Sequence, residues 1–238
     1  MVPEKLISEF VERVRKASGA NLKSVILYGS AAADEYIPEH SDVNLLCVLG
    51  ETSFAAIANL AAAVEWWARQ KHHAPLLLTA EELRRGADVF SIEFLDMQQS
   101  YRVLWGEDLL KGLEIPMKLH RAQVEYELRE KTIMLRQRLL AIAGDTGAKW
   151  DLLLRSVPAF GTLARHALIA TGDKPAGSKR EAVERLAAKA GFEATAFLQL
   201  SDIRHGKIDR KSLNVDDVFG RYLKGVERIT AAVDEMLD

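Results

Sequence analysis

The sequence predicts an α/β (α+β) N-terminal domain with a mixed sheet, followed by an all-α helical bundle. Three observations predict it. Two apolar runs, Val25–Tyr28 and Val43–Leu49, flank a polar loop that begins Gly29-Ser30, which reads as strand, tight turn, strand. Short apolar or alternating runs recur between helical stretches as far as Gly106. From about residue 115 the alternation stops and helical periodicity takes over. The expected division is residues 1–112 and 113–238.

Taken in order, residues 3–18 predict an amphipathic helix with Leu6, Phe10, Val11 and Val14 on one face, ended by Gly19. A strand over 22–28 follows, then the Gly29-Ser30 turn and the second strand. Ser53 caps a helix of about 53–71, whose packing stripe is Phe54, Ile57, Leu60, Ala61, Val64 and Trp67. His72-His73 reads as the helix terminus, favoured there by the dipole; adjacent residues on a helix do not converge on a metal. Pro75–Thr79 predicts a short strand, and Thr79 with Glu82 a capping box. Phe90–Leu95 alternates apolar and polar residues and predicts a strand, although Leu95-Asp96-Met97 also fits a helical turn. Tyr101–Gly106 predicts a last edge strand.

The second half predicts a long helix over 117–143, with Leu119, Val124, Leu128, Leu135 and Leu139 buried. Its arginines and lysine interleave with glutamates, the pattern of a solvated, ion-paired face. A helix over 148–171 carries Pro158 and is expected to bend there. Ser178 and Glu181 form a capping box opening a third helix, which Gly191 ends. A short helix spans about 193–204, and Asn214 caps a last one running to about Leu237. Helices joined by short loops pack as a bundle.

The chemistry is concentrated between Leu22 and Gly50. Residues two apart on a strand share a face, so Asp42 and Asn44 project together. Gly29 permits a sharp turn and a close ligand approach. Ser30 offers a hydroxyl, and the amides after it can point at phosphate oxygens. A phosphate cradle facing a strand-borne acid suits phosphoryl or nucleotidyl transfer, which depends on positioning and charge neutralisation.

The stretch Tyr28-Gly29-Ser30, followed by Ser41-Asp42-Val43-Asn44, resembles the nucleotidyltransferase superfamily of polymerase β, kanamycin nucleotidyltransferase and the minimal nucleotidyltransferases. The likeness covers about the first half of the chain. It implies that Gly29 and Ser30 hold a nucleoside triphosphate and that Asp42 binds magnesium. It also implies a later strand carrying a third carboxylate that activates an acceptor hydroxyl, for which Glu93 is the first candidate and Asp96 the second. The chain departs from the motif at Asn44, which stands where the family has a second metal-binding carboxylate. An amide oxygen can ligate a hard cation but carries no charge. Asp34, Glu35 and Glu39 lie in the intervening loop as alternative acids, and His40 as a residue that could touch a nucleotide. Two readings follow: a Mg2+-dependent transferase moving NMP from an NTP to a hydroxyl of a small molecule or protein, or a catalytically degenerate NTP-binding or protein-interaction module on the same fold.

The helical tail is similar to the acceptor-closing bundle of aminoglycoside-modifying members, in which a homodimer placing one bundle over the neighbouring cleft would fit. It is also similar to the HEPN domains that accompany minimal nucleotidyltransferases. The HEPN arginine and histidine are a few residues apart, whereas Arg165-His166 and Arg204-His205 are adjacent, so no ribonuclease activity is expected.

Composition sets bounds. A formal net charge of -2 gives no electrostatic argument for non-specific nucleic-acid binding. The single cysteine, Cys47, excludes an internal disulfide and a multi-cysteine zinc site. The N-terminal residues lack the long apolar core of a signal peptide, and no run is long enough to span a bilayer. A cytoplasmic protein is the expectation.

Overall fold

The computed structural model describes residues 2–33, 36 and 42–235. Asp34, Glu35, Pro38, Glu39, His40 and Ser41 lie outside the described residues, as does the end of the last helix expected near Leu237. The chain separates into two compact units, Met1–Met117 and Lys118–Asp238.

The first unit is a four-stranded mixed sheet with helices on both faces. Strands β1 (Leu22–Tyr28), β2 (Asn44–Leu49), β3 (Leu76–Thr79) and β4 (Tyr101–Gly106) lie in the order β3-β2-β1-β4. β1 pairs antiparallel with β2 and with β4, while β2 and β3 run parallel. A parallel pair needs a crossover, supplied by α2 (Phe54–Asn59) and α3 (Ala61–Arg69). One sheet face, through Val25, Leu27, Leu45 and Cys47, packs on Phe10 and Val14 of α1 (Glu4–Ser18) and on Trp67 of α3. The opposite face, through Ile26, Leu46 and Val48, packs on Leu83 of α4 (Ala80–Arg85) and on Phe94 and Met97 of α5 (Ser91–Gln99). Burial on both faces explains why these strands read as continuous apolar runs. The Thr79 cap forms as expected: Thr79 Oγ1 accepts from the Glu82 amide and Glu82 Oε2 from the Thr79 amide.

Three expectations are corrected. The helix over 53–71 is two helices meeting at Leu60. Its proposed stripe is buried at Leu60 and Trp67, whereas Phe54 is 89% exposed and Ile57 is exposed as well. The segment expected as a strand at 90–95 is α5, because Ser91, Phe94 and Met97 recur at helical spacing and are buried together. Leu119, expected in the core, is exposed in a 3-10 turn before the long helix.

The second unit holds α6 (His120–Ile142), α7 (Thr146–Ala170), α8 (Lys179–Ala190), α9 (Thr195–Arg204) and α10 (Val215–Asp234). The predicted ends recur: Ser178 Oγ accepts from the Glu181 amide, Asn214 Oδ1 from the amides of Asp216 and Asp217, and Gly191 adopts φ 68°. The Glu181 carboxylate reaches back one residue further than in a standard box, to the Gly177 amide. Pro158 sits inside α7 and the helix continues through it. Proline has no N–H, so the carbonyl four residues before it, Leu154 O, loses its helical donor. The Arg204 guanidinium, from the end of α9, donates to that carbonyl at 2.6 Å. His120 and His166 are buried with their rings 5.1 Å apart, and burial together with the neighbouring His166 lowers the His120 pKa to about 4.

Replacing Arg204 by alanine leaves Leu154 O without that donor and should cost about 1–3 kcal/mol in urea unfolding. The double variant with Pro158→Ala, which returns an N–H to the helix, should recover most of the loss. An equal loss in the double variant would separate the arginine from the proline. His120 supplies a pH dependence. Its folded pKa lies below the unfolded value near 6.5, so folding expels a proton between the two. Stability should therefore be fully present above about pH 6.5 and fall, by on the order of 2–3 kcal/mol, as pH drops toward 4. His120→Phe should flatten that slope in guanidinium titrations at pH 7.5 and 5.

Candidate functional site

β1 ends at Tyr28, which lies opposite Asn44 in the antiparallel pair. The chain then turns through a 3-10 helix over Gly29–Ala31. Gly29 adopts φ 74°, a conformation that costs a side-chain-bearing residue energy. A Cβ there would also lie 3.3 Å from the Asn44 amide nitrogen. The Gly29 amide donates to Ser100 O at 2.9 Å, tying the turn to the end of α5. Gly29 O accepts from Ala32 at 2.9 Å and from Ala33 at 3.2 Å. The first amides of a helical turn have no partner within it, and in this turn these belong to Ser30 and Ala31. The turn, Ser30 and Asn44 are thus brought together by strand register.

Asp42 lies two residues before Asn44, with Val43 buried between them. The Asp42 side chain is 64% exposed, and His73 Nε2 lies 3.6 Å from its Oδ1. The sequence reading missed this histidine because it placed His72-His73 on a helix. α3 stops at Arg69, and Lys71 takes φ 65°, the left-handed region that a lysine rarely occupies. Parallel pairing of β2 with β3 then brings the residues before β3 alongside those before β2. His72 stacks on Trp67 at 4.2 Å, which in turn stacks on Phe10 at 4.7 Å. Burial lowers the His72 pKa, against the raising effect of Asp42. The sequence signal available was Pro75, which favours an extended chain just before it.

The strand expected to carry Glu93 beside β1 and β2 does not form: Glu93 stands in the first turn of α5, exposed, with Asp96 one turn on. The outer strands of the sheet, β3 beside β2 and β4 beside β1, carry no acid.

These residues permit a test of the magnesium expectation. Mg2+ is commonly held by one or two carboxylates plus substrate phosphates and water. Asp42 and the Asn44 amide oxygen fit one such ion. A pair of ions about 4 Å apart needs bridging negative charge. Asn44 does not supply it, and among the described residues no group of three or more His, Cys, Asp or Glu is placed to hold a metal. Among the described residues, Asp42 and Asn44 together bring one negative charge, which suits one ion better than a bridged pair. No helix among the described residues is long and apolar enough to cross a membrane.

Gly29→Ala should destabilise the protein by about 1–2 kcal/mol in urea. Most of that loss should persist when Asn44→Ala clears the neighbouring space, because the φ strain remains. Recovery in the double variant would assign the loss to crowding instead.

No protein-family model and no curated protein matches this sequence. Among solved structures, spectinomycin adenyltransferase AAD(9) from Enterococcus faecialis, determined with ATP and spectinomycin, is similar to this chain with a TM-score of 0.58. The match covers 97% of this chain and 99% of that one at 14% identity. A nucleotidyltransferase-like protein from Exiguobacterium sibiricum 255-15 matches with a TM-score of 0.37 at 12% identity, covering 94% of this chain and 74% of that one. The mixed sheet followed by the helical unit is therefore an architecture shared with that solved structure along nearly the whole chain: this chain has a nucleotidyltransferase fold.

Proposed function

We propose that the protein is a nucleotidyltransferase that takes an NTP at the Gly29-Ser30 turn and transfers NMP to a hydroxyl of a small molecule or protein, releasing pyrophosphate. The observation that supports this best is the placement of that turn against Asn44, two residues after Asp42, within a fold shared along nearly the whole chain with an adenyltransferase solved with ATP. In this reading the Ser30 and Ala31 amides and the Ser30 hydroxyl bind phosphate oxygens. Gly29, held by Ser100 O, keeps the backbone close to the ligand. Asp42 and Asn44 would hold one Mg2+, which supplies charge neutralisation on the phosphates. The second unit, α6–α10, is the proposed acceptor- or partner-binding part.

A second reading has its own support. Asn44 lacks the carboxylate charge, and β3 offers no third acid. Both favour a module that binds NTP without transferring it.

Calorimetric titration of the four NTPs, with and without Mg2+, tests the shared step. Magnesium-dependent binding of an NTP that is lost in Asp42→Ala supports nucleotide binding at this site. No binding at millimolar concentration would sink nucleotidyl transfer. Asn44→Asp then separates the two readings. A rise in NTP turnover of ~10-fold or more, from a wild-type level near zero, marks the natural protein as the non-transferring module. Unchanged, measurable turnover marks the amide as sufficient.

A further inference from the structure

We infer that the outer face of α6 is the interface of a homodimer, in which a second copy of this chain lays its own α6 antiparallel across it. The inference holds whether or not the chain transfers nucleotides. It joins helical unit to helical unit, a different contact from a bundle laid over a neighbouring cleft.

Among the described residues of the second unit, every exposed large apolar side chain lies on α6 or just before it: Leu119, Tyr126, Ile133, Met134 and Leu140. Four of these, Leu119, Tyr126, Ile133 and Leu140, stand seven residues apart, so they form one stripe along about 32 Å of helix. The stripe lies opposite the buried side of α6, which carries His120, Val124, Leu128, Thr132 and Leu135. A continuous apolar surface of this kind marks an interaction site, and a seven-residue repeat is the one that two helices share when they pack side by side.

Charge selects the occupant and its direction. A second copy laid parallel would set Arg129 against Arg129 and Arg136 against Arg136. Laid antiparallel about a two-fold axis between residues 129 and 130, it brings Leu119 to Leu140, Tyr126 to Ile133 and Arg129 to Glu130, each twice. Glu130 suits that role. Glu125 and Glu127 of α6 are ion-paired within the chain, whereas Glu130 is exposed and has no ion pair among the described residues. Arg129 is positioned by Glu125 and Asp234 and stays half exposed, and a guanidinium has donors to spare for a further acid. Two such stripes pressed together bury on the order of 1,200 Å2 in total, the lower end for a specific interface.

The test is sedimentation equilibrium on the full chain. Wild-type protein should form a dimer with a Kd of about 10 μM or tighter. Tyr126→Glu and Ile133→Glu should each weaken dimerisation ~30-fold or more. Both should leave the far-UV circular dichroism unchanged, because Tyr126 is 63% and Ile133 53% exposed. Cysteine cross-linking reads the direction, and the native Cys47 is buried and does not compete. In a mixture of Tyr126→Cys and Ile133→Cys chains, disulfides should join one variant to the other, and neither variant alone should link to itself. Self-linking of either variant alone overturns the antiparallel pairing. A dimer indifferent to both glutamates overturns the assignment to α6. A wild-type chain that stays monomeric up to about 100 μM overturns the inference and gives the stripe to a different partner.

Discussion

The antiparallel pairing of β1 with β2 is the constraint on which the first unit depends. Tyr28 faces Asn44 and Val25 faces Cys47, and both faces of the pair are buried. A slip by one residue would exchange the two faces of each strand. It would drive Leu27 and Leu45 out of contact with α1 and α3, and Ile26 and Leu46 out of contact with α4 and α5. The same register carries the turn at one end of β1 to the acid-bearing start of β2. The site is therefore a by-product of core packing: the pairing that buries the leucines also aligns Gly29 with Asn44. β4 locks the other side of β1, with Tyr28 opposite Tyr101. Ser100, just before β4, fixes the Gly29 amide.

Within that frame the polar groups show a consistent economy of charge. Asp42 is an exposed carboxylate with the His73 imidazole 3.6 Å away. Two carboxylates at positions 42 and 44 would repel each other whenever no cation lay between them. Asn44 removes that repulsion and places its amide against Gly29. The cost falls on cation binding, since an amide contributes a dipole where a charge would contribute more.

The helical unit shows the same interdependence at a different place. Pro158 makes one helical hydrogen bond impossible, and Arg204, distant in sequence, supplies the donor that Leu154 lacks. Tyr222 is wholly buried, and its hydroxyl lies 3.0 Å from Ser156 Oγ on the same stretch of α7. Polar atoms inside this bundle thus pair with groups that sequence distance hides. Arg204-His205, an adjacent pair without the HEPN spacing, shows the same habit: the arginine serves a backbone carbonyl, and His205 Nδ1 lies 2.7 Å from Ser201 O on the helix before it.

The sequence by itself determined the elements whose signals are local. Gly29-Ser30 after an apolar run, Thr79 with Glu82, Ser178, Gly191 and Asn214 each act within a few residues, and all appear in the structure where their chemistry requires. The turn was legible for that reason, whereas the second strand begins at Asn44, leaving Asp42 two residues before it. Tertiary structure decided what depends on neighbours. Phe90–Leu95 is short enough to satisfy either period, and packing of Phe94 and Met97 on the sheet selects the helix that takes Glu93 out of any strand. Apolar spacing alone gave Phe54 and Leu119 to the core, yet both are exposed. His73 reaches Asp42 only because β2 and β3 pair in parallel, across about thirty residues of sequence that contain no trace of that proximity.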